Sequence, residues 1–256
     1  MLKFDRQHAI EEMLKENGSI LVTDVCARLN CSDQTIRRDL QELESKGQII
    51  RVHGGAYLPT SEDKGAPIQL RVLLIPKEKE VIANIAVSNF IDENDVIMMD
   101  SSTTCLTMAK AILAKKLPVT IITNSLSIVS LFSNQEQNSS LICIGGHYNK
   151  RSSSFVGDDT ISTIAQYVAD KSFISCNALD YKHGLLDNND RQKMVRATML
   201  RNSKMHYLLV DHTKFDDVGN YIISDYATID GGIITDQKPP KKWMDFFNSR
   251  QIKVLW

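Results

Sequence analysis

No stretch of this 256-residue chain approaches the roughly 20 consecutive apolar residues that a membrane-spanning helix needs. The first residues, Met1 to Arg6, lack the apolar core of a secretory leader. The five cysteines (Cys26, Cys31, Cys105, Cys143 and Cys176) are scattered and form no C-x-x-C pair. That argues against a zinc site or a disulfide scaffold and for reduced thiols in the cytoplasm. Cys143 and Cys176 fall in apolar, strand-like runs and read as packing residues. Neither sign of charge is in excess, with a formal net charge of −1, and there is no internal repeat and no low-complexity tract. What remains is a cytoplasmic globular protein with no membrane partner, no metal ligand set and no cofactor motif. Its length suits two domains rather than one.

The most informative stretch runs from Ser32 to Gly47. Ser32 is a good helix N-cap, because its hydroxyl can accept from an unpaired N–H of the first turn. Ile36, Leu40 and Leu43 recur at helical spacing and make one buried stripe. Gly47 stands where a helix would stop, since glycine tolerates a left-handed backbone. Gln34, Thr35, Arg37 and Arg38 occupy the other face, and such side chains reach base edges and phosphates from a helix in the major groove. Upstream, Gln7 to Asn17 places Ile10, Met13 and Leu14 on one face and ends at Gly18. Thr23 is expected to cap a short helix through Val25, Ala27 and Leu29, and Asn30-Cys31-Ser32 forms the turn. Downstream, residues 48–58 alternate like two short strands that bend at His53-Gly54-Gly55. That bend places Arg51 and His53 near a DNA backbone. Helix, turn, helix and β-wing are thus expected in order, with Thr23, Ser32, Gln34, Thr35, Arg37, Arg38, Arg51 and His53 as the DNA-facing set. The alternative for this region is a helical bundle with a solvated charged face. Residues 1–58 are not net basic: Lys/Arg stand at 3, 6, 15, 28, 37, 38, 46 and 51, and Asp/Glu at 5, 11, 12, 16, 24, 33, 39, 42 and 44. Phosphate attraction must therefore come from local placement, and non-specific affinity should be modest.

Thr35-Ile-Arg-Arg-Asp-Leu40, then Gly47, then Arg51-x-His-Gly-Gly55, resembles the N-terminal domain of DeoR-type bacterial transcriptional regulators. The resemblance implies a winged helix-turn-helix followed by a ribose-phosphate-isomerase-like sensor domain that binds a sugar phosphate or a related metabolite.

Residues 59–67 are rich in turn formers and polar residues and read as a linker. A break near Ile75 is expected, with the next helix starting at Pro76 or Lys77, because proline suits a first helical position and not an interior one. From Asp95 onward, apolar runs at 96–99, 119–122, 141–144, 172–174, 207–210, 232–234 and 252–255 alternate with helical segments at 106–113, 126–132, 160–168 and 192–201. This alternation argues for a mostly parallel sheet covered on both faces. The fold class is therefore α/β: a winged helix-turn-helix (1–58), a linker (59–75) and a larger Rossmann-like α/β sensor domain (76–256).

Polar or small residues follow each strand-like run, and ligands bind outside the carboxyl ends of strands in open α/β sheets. After the first come Asp100, Ser101, Ser102, Thr103 and Thr104, whose hydroxyls and N–H groups could hold a phosphate at a helix N-terminus. Thr123 and Asn124 follow the second run, and Gly145 and Gly146 the third. Asp100, Asp180 and Asp211 could hold sugar hydroxyls, with Arg196 and Lys214 as cationic partners. Each has a plainer reading as a helix cap or a turn former. The same places resemble the family's sensor motifs, from about Gln7 to Asp236 in all. The chain departs from the family at four positions. Ser102 and Ser175 replace glycines, and Gln192 and Arg196 replace a Glu and a Lys. A Cβ in the phosphate loop can obstruct an anion, and arginine exchanges a compact ammonium for a planar fork.

Three functions fit these residues. The first is a regulator, a repressor of a sugar-utilisation operon that binds double-stranded operator DNA as a homodimer or higher homo-oligomer and answers to a sugar phosphate. The second is a sugar-phosphate isomerase-like enzyme using Asp100, Asp180 or Asp211 in acid–base chemistry. Gln192 and the otherwise unneeded residues 1–58 speak against it. The third is a DNA-binding regulator whose metabolite pocket is degenerate.

Overall fold

The computed structural model describes residues 1–58, 66–132 and 138–256. The chain divides into two compact units, Met1–Leu74 and Ile75–Trp256. The expected linker at 59–67 lies mostly outside the described residues.

The first unit opens with α1 (Lys3–Asn17), which Gly18 ends at φ 72° by donating its N–H to the Leu14 carbonyl. Strand β1 (Ser19–Leu21), absent from the sequence reading, runs straight into α2 (Val22–Leu29). Thr23 therefore does not cap α2: the N-cap position is Leu21, and Thr23 lies inside the first turn. The Val22 N–H that a cap would leave unpaired is instead satisfied by the Gly54 carbonyl at 2.9 Å. After a turn at Asn30 comes α3 (Asp33–Ser45), then β2 (Ile50–Val52) and β3 (Gly55–Tyr57). The three strands form one antiparallel sheet in the order β1-β3-β2, with His53-Gly54 at the β2–β3 turn. Residues 68–73, expected as linker, form α4 (Ile68–Leu73), because Ile68 and Leu70 give it an apolar face to bury. Ile10, Leu14, Val25, Ile36 and Leu43 are fully buried in one core, each contributing about 1.5–3 kcal/mol on burial.

The second unit begins with α5 (Pro76–Phe90), and Ile75 before it breaks the chain direction in the left-handed region at φ 42°. Then follow β4 (Val96–Met99), α6 (Thr103–Ala114), β5 (Thr120–Thr123), α7 (Leu126–Phe132) and β6 (Ser140–Cys143). The hairpin β7 (His147–Asn149) and β8 (Ser154–Val156) leads to α8 (Asp158–Ile164), β9 (Ala169–Ile174), β10 (Ala178–Asp180) and β11 (Gly184–Asp187). The chain ends with α9 (Asp190–Arg201), β12 (Ser203–Leu209), β13 (Tyr221–Ser224), β14 (Gly232–Ile234), α10 (Lys241–Ser249) and β15 (Val254–Leu255).

Seven strands form a parallel sheet in the order β15-β14-β12-β9-β4-β5-β6. Successive strand residues point to opposite faces, and the cores follow that rule. Ile97, Met99, Phe173 and Leu209 pack with α5, α6 and α7 residues such as Ile82, Ile112 and Ile128. Met98, Ile174 and Leu208 pack on the other face with Val195 and Met199 of α9 and with Trp243 and Phe247 of α10. The chain lays strands to one side of β4 through β6 and to the other side from β9 onward. The switch falls between β4 and β9, and ligands of open α/β sheets bind at such a point, outside the carboxyl ends of the strands.

Candidate functional site

In the first unit, α3 buries Ile36, Asp39, Leu40 and Leu43 and exposes Gln34, Arg37 and Arg38, with Thr35 half-buried. Ser32 is the N-cap: its hydroxyl accepts the Thr35 N–H at 3.3 Å and pairs with the Thr35 hydroxyl at 2.9 Å. Arg37 pairs with Asp33 one turn back, both groups being about half exposed. Such a pair is worth a few tenths of a kcal/mol, so exchange for a phosphate costs little. Arg38 forms no ion pair among the described residues. In the wing, Arg51 donates its backbone N–H and its guanidinium to Glu44 at 3.0 and 2.6 Å, which ties β2 to α3. Burial pushes the Glu44 carboxyl up, but those bonds outweigh it and hold it below its ordinary value. His53 is exposed at the wing turn, and the Thr23 hydroxyl is exposed beside Asp24. One contact escaped the sequence reading. Asp39, only 1 % exposed, receives the Arg6 guanidinium and the Gln7 amide from α1. A carboxylate lying within the apolar stripe between Ile36 and Leu43 was the signal, since a buried charge demands a partner.

In the second unit, Asp100 follows β4 at the switch point. Its carboxylate accepts the Ser102 N–H at 3.0 Å, the Ser175 N–H at 3.2 Å and Arg196 Nε at 2.6 Å. Burial pushes the Asp100 carboxyl up, yet the Arg196 charge and the Ser102 hydrogen bond prevail and hold it below its ordinary value. Arg196 also donates to Asp187, and all three residues are at least 95 % buried. Asp187 itself accepts the N–H groups of Asn188 and Asn189. One guanidinium thus sits between two carboxylates, and the group carries a net charge of −1. Gln192 is equally committed. Its carbonyl accepts from the Ser101 hydroxyl at 3.1 Å, and its amide donates to Ser152 and Ser154 at 2.9 and 2.7 Å. That amide joins the loop after β4 to the β7–β8 hairpin.

The other expected residues fall into two groups. Ser102 sits at φ −71°, ψ 154°, an ordinary extended conformation, and its hydroxyl caps α6 by accepting from Cys105. The chain therefore needs no glycine there. Thr103 and Thr104 are buried in the first turn of α6, and their hydroxyls make no hydrogen bond among the described residues. Asn124 donates to the Phe155 carbonyl at 2.7 Å, which fixes its amide and leaves its buried Oδ1 without a partner. Lys214, half-buried, forms no ion pair among the described residues. These groups retain unused capacity near the strand ends. By contrast, the Thr123 hydroxyl donates to the Met99 carbonyl at 2.7 Å. Gly146, at φ 141°, lets Thr160 of α8 come so close that a Cβ would overlap its hydroxyl, which bonds the Gly145 carbonyl at 2.8 Å. Asp211 caps a short 3-10 turn through Thr213 at 3.0 Å. Asp180 does not stand directly at the end of β9. Strand β10 carries it to a hairpin turn, where its carboxylate accepts the His183 and Lys182 N–H groups and is held below its ordinary value by them.

A winged helix-turn-helix unit followed in sequence by a parallel α/β unit defines a two-domain DNA-binding regulator. The comparisons agree. Residues 6–62 match the DeoR-like helix-turn-helix domain, and residues 75–237 match the DeoR C terminal sensor domain. The chain belongs to the DeoR family of transcriptional regulators. It is 33 % identical over 257 residues to the HTH-type transcriptional regulator IolR of Bacillus subtilis, covering 99 % of each chain. It is 28 % identical over 254 residues to the glycerol-3-phosphate regulon repressor of Escherichia coli, again covering 99 % of each. To the lactose phosphotransferase system repressor of Lactococcus lactis it is 33 % identical over 218 residues, covering 84 % of each. A ribose 5-phosphate isomerase of Methanocaldococcus jannaschii is 16 % identical, over 54 % of this chain and 53 % of that one, with a TM-score of 0.38. These full-length relatives are regulators, not enzymes, and no described helix is long and apolar enough to cross a membrane.

Proposed function

We propose that this protein is a cytoplasmic repressor of a sugar-utilisation operon, released from its operator by a phosphorylated sugar bound at the carboxyl ends of β4, β5 and β12. The observation that carries the reading is that α3 exposes Gln34, Arg37 and Arg38 while polar groups without partners stand at the carboxyl ends of β4, β5 and β12. In the head, Gln34, Thr35, Arg37 and Arg38 meet the major groove, while Arg51 and His53 approach the backbone beside it. A homodimer would present two heads to half-sites about one helical turn apart. In the sensor, Thr103, Thr104 and the α6 N-terminus supply donors for a phosphate, Lys214 supplies a charge, and Asn124 Oδ1 and Asp211 supply acceptors for sugar hydroxyls. Neither role calls for a cofactor.

One observation favours a second reading of the effector. Arg196 is already neutralised twice over, so it adds no attraction for a phosphate, and the ligand could instead be an uncharged polyol. Footprinting on the DNA upstream of its own gene, across a panel of sugar phosphates and free polyols, decides between them. The expected result is protection of paired half-sites that one phosphorylated compound abolishes. Release by an unphosphorylated compound alone supports the second reading, and absence of any footprint contradicts both.

A further inference from the structure

The turn that leads into α3 carries two thiols in one structural motif. Helix α2 ends with Asn30 in the left-handed region at φ 49°, ψ 51°, its N–H donated to the Cys26 carbonyl. The next N–H, that of Cys31, reaches the same carbonyl at 3.2 Å. This six-to-one bond places Cys26 and Cys31 at the two positions whose side chains are frequently in contact when a helix closes this way. Standard covalent geometry at each end of the bond limits the Cα separation to at most about 7 Å. The three vectors are not collinear, so the actual distance is shorter, below the roughly 7 Å beyond which two cysteines cannot be bridged without backbone movement. Both thiols are half-buried at the edge of the head's core, so a small oxidant reaches them, whereas Cys105 and Cys176 are buried.

We propose that Cys26 and Cys31 are a reversible oxidation site whose disulfide weakens DNA binding. With a peroxide as oxidant, one sulfur attacks a peroxide oxygen, the O–O bond breaks and one water leaves, giving a sulfenic acid. The second sulfur then attacks that sulfur, an S–S bond replaces the S–O bond, and a second water leaves. Two thiols are oxidised by two electrons, one peroxide is reduced to two waters, and the thiol protons end in those waters. Burial, with Asp33 and Cys31 beside it, pushes the Cys26 thiol above its ordinary value, which keeps the pair reduced until oxidant is abundant. Closing the bond draws the Cys31 sulfur away from the Leu29 carbonyl, 3.3 Å distant. Cys31 directly precedes Ser32, the cap of α3, so the move shifts the helix start from which Gln34, Thr35 and Arg37 project.

The test uses the full chain treated with hydrogen peroxide and then alkylated. Trypsin cuts at Arg28, so the disulfide appears as two linked peptides, one holding Cys26 and the other Cys31. The expected result is that linked pair, about tenfold weaker binding to a duplex of the protein's own upstream region, and recovery with dithiothreitol. Cys31→Ser, or Cys26→Ala should that variant misfold, binds as the reduced protein does and ignores peroxide. Thiol loss at Cys143 without the linked pair overturns the proposal. So does the linked pair with unchanged affinity, or a Cys31→Ser variant as peroxide-sensitive as the parent. The effect on affinity rests on the DNA-binding reading. A reduced protein that binds no upstream DNA refutes that reading, while the peptide map still decides the cross-link.

Discussion

Arginine does opposite work in the two units. In the head, Arg37 and Asp33 are both about half exposed, so their pair is weak, screened and exchangeable. In the sensor, Arg196 and the two carboxylates it joins are almost wholly removed from water. Breaking such a group strands a charge in a poorly polarisable interior and costs several kcal/mol. Arg37, which the proposed function places against DNA phosphate, is kept at the surface on a weak internal partner. A cation that must hold β4, β9, β11 and α9 together at the switch point is buried and saturated. The lesson bears on reading the family's motifs: a cation at the expected place is not necessarily a cation available to a ligand.

Removing the buried cation gives the largest effect. Arg196→Met leaves Asp100 and Asp187 unpaired and should destabilise the sensor by about 3–5 kcal/mol. Urea unfolding followed by tryptophan fluorescence reads it, because both tryptophans, Trp243 and Trp256, lie in that unit. The same group sets a pH response. The Asp100 carboxyl is lowered from 3.8, so its contribution is complete above about pH 4 and is lost as pH falls through the depressed native value. Acid unfolding of Asp100→Asn should lack that component.

The surface cation gives a smaller effect, on affinity alone. Arg38→Ala should weaken operator binding about tenfold and lower the salt slope by about one, with the unfolding midpoint unchanged. A shifted midpoint would make Arg38 a structural residue and erase the contrast with Arg196. The smallest change is Ser32→Ala, which removes the α3 cap for about 1 kcal/mol. Faster amide exchange at Thr35, while exchange at Leu40 stays slow, is the expected signature.

Much of this was legible in the residues. The stripe Ile36, Leu40, Leu43 and the caps around it located α3, and Pro76 located the start of α5. The apolar runs gave all seven parallel strands: the inner ones are buried on both faces and carry continuous apolar sequence, and the edge strands β6 and β15 carry similar runs although only partly buried. The three- and four-residue strands of the β7–β8 hairpin and of the β10-β11-β13 sheet escaped, since so short a span hardly develops an alternation. Helix α10 was missed although Pro240 precedes it and Trp243 and Phe247 stand one turn apart, both fully buried. At the site, the residue types at the strand ends were readable but their commitments were not. Asp187 lies 87 residues from Asp100 in number, and only folding reveals that both address Arg196.

The proposed release of DNA by a phosphorylated sugar is tested most directly by titrating the full chain onto its upstream duplex, with and without the phosphorylated sugar that most raises its melting temperature. The dissociation constant is expected to be at least about fivefold weaker with that compound present, within the usual range of allosteric coupling. An unchanged constant with every stabilising compound would contradict it.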